Sequence, residues 1–312
     1  MAVAALFSSH SPLIGLNSPG GEIELEVKAQ FEQLRAWVEN FKPDLIIELA
    51  PDHFNGFFYK LMPSFCVGVE ASSVADYKTP AGPLPVDSAL AEQCIAYLHQ
   101  QGVDVATSYD MRVDHGLTQL PNMLFGWENV PPMIPVFVNC VAPPRPPMTR
   151  VIKLGEAIGK FAARLDRNVL ILGSGGLSHD PPVPALKSAA PEVRQRLIAG
   201  GELSPEARAL RQERTLEEGI KSAAGKSDIL DINPEWDHQV LELLEKGDFE
   251  TLAGFDDADI SRLGGRGGHE IRTWVAGCAA LNAIGPYTAK TWYYRPAPEW
   301  IAGFGIMTAE LN

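Results

Sequence analysis

Short, largely apolar runs alternate with segments of helical spacing through the first 172 residues, and this alternation constrains the fold more than any other feature. Val3–Phe7, Leu45–Leu49, Val103–Ser108, Met133–Asn139 and Asn168–Leu172 read as strands. Between the first two, Ile23, Val27, Phe31, Leu34 and Val38 recur at helical spacing within Glu22–Phe41, and Pro43 stops the pattern. Asp87 is placed to cap a helix carrying Leu90, Cys94 and Leu98, ended by Gly102 in the left-handed position. Thr149 opens another, with Val151, Leu154, Ile158, Phe161 and Leu165 on one face. Strands that lack polar alternation must be covered on both sides. The pattern therefore predicts an α/β fold with a mainly parallel central sheet flanked by helices.

From about Pro191 to Gly285 the signals are helical only. Ser204-Pro205 and Asn233-Pro234 are cap-plus-proline starts, and a last helix over His269–Ile284 turns Trp274, Val275, Cys278 and Leu281 inward. This predicts a helical C-terminal layer, followed by the aromatic segment TWYYRPAPEWIAGFG. No repeat or low-complexity tract divides the chain, so residues 1–312 are read as a single domain.

Composition narrows the function by exclusion. A formal charge of −13 does not suit nucleic acid, whose phosphates demand a basic footprint, nor an anionic membrane surface. Cys66, Cys94, Cys140 and Cys278 are scattered without a CxxC pair, which argues against a zinc knuckle or disulfide framework and for reduced thiols in the cytoplasm. The opening MAVAALF lacks the basic start and the length of a signal peptide.

Histidine placement points to a site. His10 ends VAALFSSH, His53 follows LIIELAPDH, His115 lies in RVDHG and His179 follows NVLILGSGGLSH. In an open α/β sheet ligands bind beyond the carboxyl ends of the strands, so residues distant in sequence can meet at one edge. His10 and His53 are the metal-ligand candidates. Two histidines and a carboxylate form the facial triad of non-heme Fe(II) oxygen chemistry. Glu48, in an apolar strand, and Glu270, after the glycine-rich GGRGGH, are both available as the carboxylate, and spacing does not choose between them. Asp52, Asp114 and Asp180 each adjoin a histidine and suit capping or supporting roles. His115, in a polar loop, and His179 are the candidates for a proton-transfer pair. His99 and His238 read as solvated or structural, and His269, beside Glu270, as a histidine easily mistaken for a ligand.

The segment Gly173–His179 fits neither of two familiar motifs. A dinucleotide fingerprint needs glycine at Ser178 and a following helix, which Asp180-Pro181-Pro182-Val183-Pro184 cannot form. A nucleophile elbow needs glycine at Leu172. What remains is a tight turn of small residues that projects His179.

Taken in order, SHSPL, PDHFNGFFY, VDHG, GSGGLSH, GHEIRTW and the C-terminal YYRPAPEWIAGFG resemble the class III extradiol ring-cleavage dioxygenases almost end to end. The resemblance implies a mononuclear Fe(II) held by His10, His53 and Glu270, with acid–base roles for His115 and His179, the former as donor and the latter as acceptor. It implies cleavage of a catechol beside, not between, its two hydroxyls, with both atoms of O2 in the product. The branch it resembles most acts on catechols with a propionate or acrylate side chain, as a cytoplasmic homo-oligomer. Arg295, Arg266 and Arg145 are the arginines considered for the side-chain carboxylate. A non-catalytic binding protein on the same scaffold and a zinc hydrolase are the competing classes.

Overall fold

The computed structural model describes residues 2–17 and 22–312. Its strands are β1 (Val3–Ser8), β2 (Leu45–Ala50), β3 (Phe65–Gly68), β4 (Ala71–Val74), β5 (Ala81–Pro83), β6 (Ala106–Ser108), β7 (Met111–Val113), β8 (Met133–Val138), β9 (Val169–Ser174), β10 (Tyr287–Ala297) and β11 (Ala302–Leu311). Its helices are α1 (Glu22–Phe41), α2 (Ser88–Gln100), α3 (His115–Phe125), α4 (Met148–Ala162), α5 (Pro191–Ala199), α6 (Pro205–Ala223), α7 (Pro234–Lys246), α8 (Phe249–Ala253), α9 (Asp257–Gly264) and α10 (Ile271–Asn282).

The main sheet runs β10-β11-β1-β9-β2-β8-β3-β6. Its centre, β1-β9-β2-β8, is parallel, as the buried apolar runs require. Antiparallel pairs appear only toward the edges, at β3 with β8 and at β10 and β1 with β11. The β10–β11 hairpin was not evident in sequence. Its first strand lies at the sheet edge, mixes exposed and half-buried residues and carries Pro296, which an edge tolerates. A small sheet, β5-β4-β7, sits apart and was likewise not expected.

Alternate residues of the strands feed two cores. Ala5, Phe7, Ile47 and Leu49 pack toward α2, α4, α7 and α10. Ala4, Leu6, Ile46 and Ala50 pack toward α1 and α3. Helix α4 lies tight on α10 because Gly155 and Gly159 leave no side chain in the way. A Cβ at either would run into the main chain of Ala276 or Ala280. The caps are as expected: Asp87, Ser204 and Asn233 accept from the main-chain amides of Leu90, Ala207 and Trp236.

Glu48 is the exception within the core. It shares a strand face with Ile46 and Ala50, is fully buried, and neither carboxylate oxygen has a hydrogen-bond partner among the described residues. Burial pushes its carboxyl well above the ordinary value. The folded chain therefore keeps this proton to a higher pH than the unfolded chain does, and stability from this group falls as pH rises above the ordinary glutamate range. Glu48→Gln is expected to remove that dependence. Relative to wild type its unfolding free energy should gain up to about 1.4 kcal/mol per pH unit over that interval. Urea unfolding of both proteins at pH 5 and pH 7 measures the difference, and parallel shifts in the two would disprove it.

Candidate active site

Three neighbouring parallel strands, β1, β9 and β2, end at the same edge, so the residues just past them are brought together. His10 follows β1, His53 follows β2 and His179 follows β9. His115 joins them as the first residue of α3, not in the open polar loop that its sequence suggested. Asp114 caps that helix by accepting from the Gly116 amide. Glu270 arrives from the short 3-10 turn Gly268–Glu270 that leads into α10. All five side chains are buried.

The glycine-rich turn after β9 makes room for this meeting. Gly175 has φ of 144°, and a Cβ there would lie 2.8 Å from the Glu270 Cβ. The Gly176 amide donates to Glu270 Oε2 at 2.9 Å. Gly267 passes against the His179 ring so closely that a Cβ would overlap its Nε2. Gly267→Ala is therefore expected to displace His179 and lower ring-opening turnover by about two decades, while the main-chain conformation, at φ −82°, suits alanine. A variant with turnover near wild type would show that the ring has another place to go.

Each histidine has its Nδ1 engaged away from the centre. His10 Nδ1 meets Ser174 Oγ at 3.0 Å. His53 Nδ1 meets Asp114 Oδ2 at 3.1 Å, His115 Nδ1 meets Asp76 Oδ2 at 2.6 Å, and His179 Nδ1 meets the Leu177 carbonyl at 2.9 Å. The last three partners only accept, so those rings carry their proton on Nδ1 and, when neutral, leave a lone pair on Nε2. The Nε2 atoms of His10, His53 and His179 lie 3.5, 3.1 and 3.4 Å from the Glu270 carboxylate. The ring of His115 stacks on His53 at 4.5 Å and stands edge-on to His10 at 5.4 Å.

Lone pairs and a carboxylate converging at such distances repel unless positive charge lies among them. Protons meet this need in part. Burial works against charging His53 and His179, yet Asp114 and Glu270 outweigh it at His53, and Glu270 does so at His179, so both end above the ordinary imidazole value. Burial drives His10 the other way, to about 3. Burial would raise Glu270, but His179, His10 and His53 hold it well below the usual carboxylate range. A divalent cation satisfies the same set at once, and the outward Nδ1 bonds are those that orient imidazole ligands. Separately, His10, His53 and His115 have ligand atoms within 4.8 Å of one another. The donor set fits a metal.

The supporting carboxylates divide as their adjacency to histidines suggested. Asp114 serves His53, and Asp52 accepts from the amides of Asn55, Gly56 and Phe57. Asp180 pairs with Arg266. Asp76, which has no histidine beside it in sequence, holds both the ring and the amide of His115 and was missed for that reason. His269 is buried against Ser261 and Arg272. Burial and the nearby Arg145 and Arg272 lower it to about 2. His99 bonds the Val105 carbonyl.

A cavity of about 400 Å³ opens onto the histidines, lined with apolar groups that include Leu13, Phe54, Val183 and Trp300. Its size suits a substituted single ring. None of the three arginines considered from sequence lines it. Arg295 pairs with Glu26 at 2.8 Å, Arg145 with Asp257 at 3.1 Å and Arg266 with Asp180 at 2.6 Å.

A β/α sheet whose strand ends gather histidines and one glutamate beneath a ring-sized cavity is the architecture of a metal-dependent enzyme for small aromatic molecules. Residues 4–305 match the family described as the catalytic LigB subunit of aromatic ring-opening dioxygenase, and the chain belongs to that family. It is an extradiol ring-cleaving dioxygenase, acting with O2 on a small aromatic substrate. Similar proteins include a 2,3-dihydroxyphenylpropionate/2,3-dihydroxicinnamic acid 1,2-dioxygenase from Dechloromonas aromatica, 48% identical with 96% of each chain covered. Proteins of the same description from Mycolicibacterium smegmatis and Azotobacter vinelandii are 46% and 48% identical, covering 99% and 97% of each chain. No helix among the described residues is long and apolar enough to cross a membrane.

Proposed function

We propose that this chain opens 3-(2,3-dihydroxyphenyl)propionate and 2,3-dihydroxycinnamate beside their paired hydroxyls, using Fe(II) held by His10, His53 and Glu270. We further read it as one catalytic domain, acting as a cytoplasmic homo-oligomer. The observation that carries the reading is the approach of His10 and His53 Nε2 to one Glu270 carboxylate, with both Nδ1 atoms engaged elsewhere. Relatives across nearly the whole length carry the names of these two substrates. Bound Fe(II) would supply adjacent open positions for the catechol oxygens and O2 and a path for electrons between them.

The remaining residues manage protons and water. A catechol must lose a phenolic proton to bind as an anion, and His179, whose Nδ1 donates to the Leu177 carbonyl, would accept it on Nε2 once a cation at the centre takes over the charge that its own proton supplies beside Glu270. His115 is oriented by two bonds to Asp76, one from its ring and one from its amide, which aims Nε2 at the centre as the donor for the later step. Pro12, Leu13, Phe54, Val183 and Ile301 shield the reacting ring from water. The balance needs no other reagent: one catechol and one O2 give one ring-opened product holding both oxygen atoms.

Anaerobic loading with Fe(II) or Zn(II), followed by oxygen and a panel of catechols, tests this. Fe(II) should yield a yellow ring-opened product, with activity lost on oxidation to Fe(III), and Zn(II) should yield none. Colourless product from cleavage between the hydroxyls, or activity with Zn(II) alone, would refute it.

A further inference from the structure

One wall of the main cavity comes from the helical layer α5–α6, and it carries a charge pattern opposite to that of the chain as a whole. Arg196, Arg211 and Arg214 line the cavity, and no aspartate or glutamate among the described residues does. In a chain of formal charge −13, three cations facing one cavity without a carboxylate among its lining is a local reversal. On α6 the lining residues Ala207, Leu210, Arg211, Arg214 and Thr215 fall on one helical stripe. Thr215 Oγ1 lies 3.0 Å from the Tyr77 hydroxyl, and the Tyr77 ring stands edge-on to His115. The stripe therefore looks onto the same space as the histidines.

The three arginines are committed to different degrees. Arg211 is spent on structure: it donates to the His53 carbonyl at 2.6 Å and to Asn55 Oδ1 at 3.3 Å. Asn55 in turn donates to Asp114, the carboxylate behind His53. Arg196 is half spent. Its Nη2 donates to the Phe54 carbonyl at 2.9 Å, but its Nε is buried with no acceptor among the described residues. Arg214 forms no hydrogen bond or ion pair with any described residue; it lines the cavity at its exposed mouth, and of the two only Arg196 carries a buried donor without an acceptor. A buried guanidinium N–H without an acceptor is costly, and a bidentate carboxylate is the group that guanidinium geometry fits best. Burial and then the neighbouring Arg211 lower the proton affinity of Arg196, Arg208 adds to this, and Asp52 offsets it in part.

We propose that Arg214 and Arg196 form the subsite for the carboxylate on the substrate's side chain, and so select carboxylated catechols over neutral ones. The inference rests on the ring-opening reading above, and it replaces Arg295, Arg266 and Arg145, which are paired outside the main cavity.

Arg214→Met keeps the length and removes the charge of a residue with no protein partner, so the fold should not depend on it. With the Fe(II)-loaded enzyme, kcat/KM for 3-(2,3-dihydroxyphenyl)propionate should fall about ten- to a hundredfold, mainly through KM. The loss on 3-methylcatechol should be at least tenfold smaller. Arg214→Lys should restore part of the difference, and Arg196→Met should show the same substrate split at unchanged iron content. Equal losses on both catechols would overturn the proposal. A second measurement is independent of chemistry at the metal. Metal-free wild-type protein titrated with 3-phenylpropionate, which has no hydroxyls, should bind it more tightly than Arg214→Met does, and equal binding would overturn the subsite. If the wild type opens neither catechol, the ring-opening reading fails, and the 3-phenylpropionate titration still decides the subsite.

Discussion

Glu270→Gln is expected to weaken Fe(II) binding by more than about a hundredfold, beyond the loss usual when only a supporting partner of a ligand is removed. The reason is geometric as well as electrostatic. Among the described residues Glu270 is the one carboxylate that reaches His10, His53 and His179 together, and its Oε2 is already aimed by the Gly176 amide. The amide of glutamine keeps the shape but removes the negative charge that a dication would share with neutral imidazoles. The fold should survive, because no strand or helix depends on that charge. Glu48→Gln is the matched control, since Glu48 lies in the core beneath α1 and α3 and does not line the cavity. Metal content after anaerobic loading and desalting reads both variants. Loss of iron from the Glu48 variant with retention in the Glu270 variant would remove Glu270 from the ligand set.

The second large effect separates ligands from proton carriers. His115→Gln and His179→Gln are each expected to hold Fe(II) at close to wild-type stoichiometry and to lose about two to four decades in turnover, the span of one positioned acid or base. The comparison matters because His115 has a ligand atom within 4.8 Å of those of His10 and His53, so proximity alone does not separate their roles. The two defects should differ in kind. Without its base the enzyme should fail to form bound catecholate, seen as a missing near-ultraviolet shift before oxygen is admitted. Without its acid it should show the shift and stall afterwards. A double variant no worse than either single would mark two members of one proton path, since groups acting as a unit are not additive. Iron lost from either single variant would move that histidine among the ligands.

Much of this site was legible in the residue order. The apolar runs that became β1, β2 and β9 were evident because a strand buried on both faces has almost no polar residue to hide, and His10, His53 and His179 stand just beyond them. The ordered motifs around these histidines, His115 and Glu270 pointed to the ring-opening dioxygenases, and residues 4–305 do match that family. The helical spacing of α1, α2 and α4 and their caps were equally readable, since they depend on neighbours three or four positions away.

Other features depend on groups that meet only across layers. That β9 lies between β1 and β2, and so brings Ser174 to His10, follows from sheet order, which residue spacing does not encode. Asp76 reaches His115 from a short turn 39 positions away, and no local pattern marks it. The Ser204-Pro205 start of α6 marked a helix but not what its arginines would face, and Arg295 looked suitable until its partner Glu26 was seen. Glu48 and Glu270 were equal candidates by spacing alone; their positions separate them, one under α1 and α3 and the other at the edge where three strands end. Residue order by itself determined the covered parallel sheet, the strand-end histidines and the family. Tertiary structure alone decided which nitrogen of each imidazole faces the centre, which carboxylate joins them and which arginines remain free, because each is settled by a partner supplied from another part of the chain.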